Sequence, residues 1–257
     1  MSRAARLIFQ DAVVPGPFEG EFGHHHWHLV LLQAGEMRQS YRDRDIRFAP
    51  GDLRLSRPDA RHRLTFGEAG ARCAVMLLPQ RWVPATVKAH CGTMDSVFGH
   101  DATLKRLTDS TRDDFSVDDL IQREFAVREV VAKLAQRLTG KADASTAEWL
   151  LQARSALYER QESIARTARE ANVSPEHLAR EFVRHFGFKP VEFRLAARTR
   201  AAVELLRRTE AALADVAYQT GFSSQSHMTN AVRRWTRRTP RQWRLAARRS
   251  DQIPAIL

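Results

Sequence analysis

Two stretches of this 257-residue chain follow one plan. FRLAAR at 193–198 returns as WRLAAR at 243–248, and the prolines ahead of them, Pro190 and Pro240, keep the same offset of 50. Leu178 maps to Met228 in the same way, Arg180 to Asn230 and Phe182 to Val232. Further upstream the offset is 49, so that Ala168 maps to Ala217 and Val173 to Phe222. This is a duplication with one residue inserted in the second turn. Two copies are too few for a solenoid, which needs three or more stacked units. The expected product is a duplicated helix-turn-helix.

Local chemistry supports that expectation. In the first copy SIARTARE (163–170) predicts a short helix with Ala168 facing inward, and ANVS (171–174) a turn. Ser174 is placed to cap the next helix and Pro175 to open it, because a cap hydroxyl satisfies a free N–H and proline needs none. That helix, PEHLAREFVRHF (175–186), is expected to bury Leu178, Phe182 and Val183. In the second copy LADVAYQT (213–220) leads into Gly221, whose missing Cβ permits a sharp turn. Phe222 plugs the pair, and Ser223 or Ser224 caps a helix that runs to Arg234. RTRAAVELLRR (198–208) joins the copies.

The charge distribution suggests what such a device would bind. Of the net +11, residues 154–257 carry +10, from 20 Lys+Arg against 10 Asp+Glu. An excess confined to one part of a chain points to a polyanion partner. A recognition helix offers its first residues to base edges, and amide side chains suit adenine. The stretch GFSSQSHMTNAVRRWTRRTP (221–240) fits this, with Gln225, Ser226, Thr229 and Asn230 in front and Arg233, Arg234 and Arg237 behind. Arginines in that position neutralise phosphates, which supplies affinity without sequence information. A helix lying on a membrane would need large apolar residues along one face, and this one lacks them.

Residues from about 150 to 250 resemble the DNA-binding domain of the AraC family of bacterial transcription regulators. The resemblance rests on SIARTAREANVSPEHLAREF and, more specifically, on DVAYQTGFSSQSHMTNAV followed by RRTPRQWR. It implies two helix-turn-helix units joined by a long helix over 191–208, entering successive major-groove segments about 34 Å apart. By position it makes Glu176, Ala179 and Arg180 the base-facing residues of the first unit, with Arg184 on phosphate. Gln225, Ser226, Thr229 and Asn230 face bases in the second. The chain departs from the family pattern at Asn172, where glycine is usual, at Asn230, where arginine is common, and at Val232, where an aromatic is. The resemblance also implies RNA polymerase as a partner, a small-molecule effector, and activation more often than repression.

The rest of the chain reads differently. LVLLQAG (29–35), RFAPGDLRLS (47–56), RHRLTFGEAG (61–70) and ARCAVMLLP (71–79) are short apolar or alternating runs with Gly and Pro between them. They predict an antiparallel barrel or sandwich. Val117, Leu120, Ile121, Val127, Val130, Val131, Leu134 and Leu138 then recur at helical spacing. That helix is a candidate homodimer surface or a cover for its own barrel. TGKADAST (139–146) reads as a break or linker.

HHHWH (24–28) stands out in the first region. On a strand, His24, His26 and His28 would share a face with Phe22 and Val30, and His62 could approach the same interior. The region resembles the cupin barrel that serves as ligand domain in many AraC-family members. A cupin metal site would want a glutamate soon after the histidine pair, and none stands there; Gln33 is the nearest polar residue. The cluster could bind metal, line an organic-ligand pocket, titrate with pH, or be a purely structural or exposed His-rich strand. Cys73 and Cys91 have no metal spacing and read as small buried residues. No segment approaches the length of a membrane span, and no leader is legible, so a cytoplasmic protein without a membrane partner is expected.

Together these readings predict an α+β chain of two domains: a cupin-like effector-sensing barrel over 1–95, a helical dimerisation and linker region over 96–145, and an AraC-type DNA-binding domain over 146–257. The expected partners are double-stranded DNA, RNA polymerase, an unknown effector bound at His24, His26, His28 and His62, and a second copy of the chain. No enzymatic activity, cofactor or resident metal is expected. The alternative is a metal-dependent cupin enzyme with a DNA-binding appendage.

Overall fold

The computed structural model describes residues 7–41, 44–109, 117–140 and 147–250. It separates into two compact units: residues 1–113, 123–144 and 185–187 form one, and 114–122, 145–184 and 188–257 the other.

The first unit is built on an antiparallel sheet. Its strands are β1 (Ile8–Val14), β2 (Phe18–Gly23), β3 (Trp27–Tyr41), β4 (Arg44–Phe48), β5 (Asp52–Ser56), β6 (Arg61–Leu78) and β7 (Ser96–His100). Hydrogen bonds run in the order β1-β6-β3-β5-β7, with β2 also on β6 and β4 also on β3. Among the described residues no pairing joins β1 to β7, so the sheet is open rather than the closed barrel expected. β7 also carries it past residue 95, where the barrel was expected to end.

The runs at 61–70 and 71–79 are one strand, not two. Gly35 pairs with Ala71 and Met37 with Phe66, so four residues of β6, the GEAG of 67–70, stand against one residue of β3. What reads as a turn is a bulge, which bends a strand without reversing it. Gly35 and Gly70 both have positive φ, 84° and 66°, and a Cβ on Gly35 would lie 2.1 Å from the Gly70 carbonyl oxygen. Only glycine lets the two backbones pass this closely.

Each sheet face carries its own apolar cluster. Leu29, Leu31, Leu53, Leu55 and Met76 lie on one face, Val30, Leu32, Met37, Leu64 and Phe66 on the other. The first face is covered by α1 (Ala85–Met94) and α3 (Val117–Leu138); α2 (Ala102–Asp109) adds Leu104. Val127, Val130, Val131 and Leu134 of α3 are buried in this cluster, so the helix covers its own sheet with the stripe that also read as a dimer surface. Cys73 and Cys91 are buried free thiols, and burial pushes both up to about 11. The linker expected at 139–146 lies, from 141 on, outside the described residues.

The second unit is helical: α4 (Glu148–Tyr158), α5 (Ile164–Glu170), α6 (Pro175–Phe186), α7 (Pro190–Arg208), α8 (Leu213–Gln219), α9 (Gln225–Thr236) and α10 (Pro240–Ser250). The duplication shows in its core. Leu178 and Met228 are fully buried, as are Phe182 and Val232, and the aromatic pair Phe193 and Trp243 is nearly so. Phe193 meets Phe182 edge-on at 5.3 Å and Phe188 at 5.4 Å, a preferred aromatic geometry. In the second copy the Trp243 indole N–H donates to Thr236 Oγ1 at 2.8 Å. The helices that begin at the repeated prolines are capped alike. Glu192 accepts from the Lys189 N–H at 3.0 Å, and Gln242 accepts from the Thr239 N–H at 2.7 Å.

Candidate nucleic-acid interface

α5 and α6 form one short-helix, turn, long-helix pair, and α8 and α9 form another. Their turns agree bond for bond. Ala171 N–H donates to the Thr167 carbonyl and Thr220 N–H to that of Val216, at 3.0 and 3.1 Å. Val173 N–H donates to Ala168 and Phe222 N–H to Ala217, at 3.0 and 2.9 Å. This is the reverse-turn cap that satisfies the last carbonyls of a helix. Ala168 and Ala217 are buried where each short helix ends, as expected of the small residues at the crossing. The following helices are both capped by serine: Ser174 Oγ accepts from His177 N–H and Ser224 Oγ from His227 N–H, each at 3.1 Å. Ser224 is thus the second cap, while Ser223 Oγ meets His227 Nδ1 at 3.0 Å.

On α9 the buried residues are Met228, Ala231, Val232, Trp235 and Thr236, which leaves the opposite stripe outward. Gln225, Ser226 and Asn230 are exposed and Thr229 is half-buried. On α6 Glu176 and Arg180 are exposed, Ala179 half-buried. The Glu176 carboxyl is held below its usual range by its own backbone N–H and the Ser174 hydroxyl, so it remains an acceptor at neutral pH. Arg180 lies 3.4 Å from His177 Nδ1.

The four arginines expected on phosphate differ. Arg233, in the last turn of α9, and Arg237, just after it, are exposed. Arg234 is half-buried; its guanidinium covers the Trp235 ring at 4.4 Å and meets Glu192 Oε1 at 3.5 Å. Arg184 is partly engaged by Glu181 at 3.4 Å. Arg237 holds a left-handed conformation, φ 60°, as the C-cap of α9.

One expectation in this unit fails. Val183, read as buried, is 45% exposed. Phe182 takes the inward position, and the next residue on a helix points about 100° away. Val183 lines a groove of about 570 Å³ with Ile164, Ala179, Arg180, Pro190 and Val191. Sequence reasoning also passed over Tyr218 of α8, which is 85% exposed beside the second turn.

In the first unit the structure gathers three of the four histidines named from sequence. The His24 and His28 rings are 4.5 Å apart, and those of His28 and His62 are 6.0 Å apart. Strand alternation is not the cause. β3 begins at Trp27, and 24–26 form a bend before it. His26 supplies its carbonyl, 3.0 Å from His28 Nδ1, and His25 pairs with Asp59 at 2.6 Å. Two further residues complete the cluster, Gln39 and Arg54. Arg54 Nη1 donates to Gln39 Oε1 at 2.7 Å, and Gln39 Nε2 donates to His62 Nδ1 at 3.2 Å. Burial pushes His28 and His62 down to about 3, and Arg54 down to about 10. At neutral pH the imidazoles are therefore uncharged and Arg54 is a cation. Among the described residues no group of three or more His, Cys, Asp or Glu side chains is placed to hold a metal ion.

Residues 167–246 match a protein family described as a helix-turn-helix domain. Over 73 residues the chain is 41% identical to the HTH-type transcriptional regulator GlxA of Rhizobium meliloti (strain 1021). The C-terminal part of this chain is an AraC-type helix-turn-helix domain. The match to the Rhizobium regulator spans 28% of this chain and 22% of that protein, so the relationship is between these domains. Among solved structures, ToxT of Vibrio cholerae aligns over 92% of this chain and 98% of its own at 14% identity, with a TM-score of 0.38. An AraC-type DNA-binding protein of Chromobacterium violaceum aligns over 40% and 91%, at 26% identity and a TM-score of 0.35. Among the described residues no helix is long and apolar enough to cross a membrane.

Proposed function

We propose that the chain is a sequence-specific, ligand-responsive transcription regulator in which α6 and α9 each read one of two successive major-groove segments. The observation that carries this reading is the duplicated turn. Two helix pairs with the same hydrogen bonds and serine caps each present an exposed polar stripe, within an AraC-type helix-turn-helix domain. One such pair is enough to dock a helix in a groove; two in tandem suit two groove segments on one face of the duplex.

Glu176, Ala179 and Arg180 face bases from α6, and Gln225, Ser226, Thr229 and Asn230 from α9. Arg184, Arg233, Arg234 and Arg237 serve the phosphates, with Arg233 and Arg237 the more exposed pair. The sheet unit senses an effector at the cluster of His24, His28 and His62, with His26 at its margin. A ligand there alters DNA binding only if it prefers one of two protein states, since equal affinity for both shifts nothing. The chain works in the cytoplasm as a homodimer, and activates transcription through contact with RNA polymerase. Any dimer contact made by α3 uses the face turned away from its own sheet.

The test is selection of the purified full chain against randomised duplexes, followed by sequencing. A bipartite site with halves about one helical turn apart is expected. Binding without enrichment of any sequence would overturn the reading and leave a phosphate-binding surface only.

A further inference from the structure

The sheet unit holds a buried positive charge at Arg54. Arg54 is 1% exposed, and among the described residues no carboxylate pairs with it. Arg54 donates a hydrogen bond to the neutral Gln39 amide, and among the described residues its Nε–H has no partner. An unpaired buried charge is among the least favourable arrangements a protein can keep.

The orientation of the neighbours follows from that bond. Gln39 turns its oxygen to Arg54 and its NH2 to His62 Nδ1. His62 Nδ1 is then an acceptor, so the neutral ring carries its proton on Nε2. That Nε2–H is buried and unpartnered as well. His28 differs: its Nδ1–H donates to the His26 carbonyl, which leaves Nε2 as an unpartnered acceptor. The cluster therefore offers two buried donors, one of them cationic, and one buried acceptor. Apolar residues flank it, with His24 beside His28 and Cys73 near Arg54. Val30 and Phe98 stand opposite Arg54 on the neighbouring strands, and Phe22 stands opposite His62.

We propose that His28, Gln39, Arg54 and His62 form a receptor for the carboxylate of an organic acid whose remaining body is apolar. The carboxylate accepts from Arg54 Nε–H and His62 Nε2–H and supplies the missing negative charge. A hydroxyl or N–H on the same acid satisfies His28 Nε2. A metal cation suits the same place poorly, because the fixed guanidinium repels it and His62 presents a proton rather than a lone pair. This assignment rests on the reading of the sheet unit as an effector sensor and names the class of effector.

The test is calorimetric titration of the full chain with benzoate, 4-phenylbutyrate, octanoate and decanoate, each against its primary amide. At least one acid is expected to bind saturably at one site per chain, about tenfold or more tighter than its amide, because a charge-assisted bond exceeds a neutral one. Arg54→Met should weaken that acid by about tenfold or more while melting no lower than the parent, since it removes an unpaired buried charge. Should that variant fail to fold, the acid-against-amide comparison on the unaltered chain decides. Equal binding of acid and amide, or undiminished binding by Arg54→Met, would overturn the carboxylate assignment and leave the effector pocket standing. No saturable binding by any of these compounds would overturn it too, and the duplex selection then judges the regulator reading separately.

Discussion

Asn172 and Gly221 hold the same left-handed position in the two helix pairs, with φ of 54° and 75°. Each is followed by an N–H that closes back on the alanine of its short helix. Asparagine reaches this conformation at a modest cost and glycine at none. Asn172→Gly should therefore raise stability by less than about 1 kcal/mol. Gly221→Ala should lower it by about 1–2 kcal/mol or more, because it adds a left-handed alanine whose Cβ would also lie 3.2 Å from Arg198 Nε. Denaturant midpoints of the two variants check this; an unmoved midpoint for Gly221→Ala would mean that the turn relaxes out of the left-handed region.

Arg237 separates stability from affinity. Its left-handed C-cap position is one that glycine fills better, so Arg237→Gly should stabilise the chain by about 1 kcal/mol. If the side chain also neutralises a phosphate, the slope of log affinity against log salt should become shallower by about 0.9. A more stable variant that binds DNA with a flatter slope is the expected result of a melting curve and a salt titration. An unchanged slope would remove Arg237 from the interface.

Arg180 should specify rather than merely attract. It is exposed on the outward stripe of α6, one turn beyond Glu176. Arg180→Ala is expected to relax preference at a single base position, at a cost of about 1–3 kcal/mol there. Repeating the duplex selection with the variant reads this directly. A loss spread evenly over all sequences would make Arg180 a phosphate contact.

The helical unit was largely legible from sequence because its constraints are local. A cap serine, a turn glycine and a buried leucine act within one or two turns of chain, and the duplication states each of them twice. Val183 was misread because two adjacent apolar residues on a helix cannot both face one core, and the letters do not say which yields. The sheet unit was less legible for a different reason. In DLRLS (52–56), alternation reads as Leu53 and Leu55 inward and Arg54 toward solvent. Alternation gives the two sides of a strand but not whether both are covered, and here both are. Arg54 and Gln39, the residues that give the histidine cluster its polarity, were hidden by that ambiguity. The bulge at 67–70 was hidden similarly, since Gly-Glu-Ala-Gly suits a chain reversal and a bulge equally well.

The same burial predicts how the sheet unit responds to acid. His28 and His62, 0% and 2% exposed, are held near 3 in the folded chain by desolvation, against 6.5 for a free imidazole. For His62 the Arg54 cation adds to that effect; for His28 the bond to the His26 carbonyl partly opposes it. Between these values the unfolded chain binds protons that the folded chain refuses, so stability is highest above about pH 6.5 and falls as pH drops toward 3. The slope should approach at most about 1.4 kcal/mol per pH unit for each histidine. Denaturation at pH 7, 6 and 5 should show the decline, and His28→Gln and His62→Gln should each flatten it. A parallel decline in parent and variants would mean that both imidazoles take up protons within the folded sheet unit, and that the cluster is open to water.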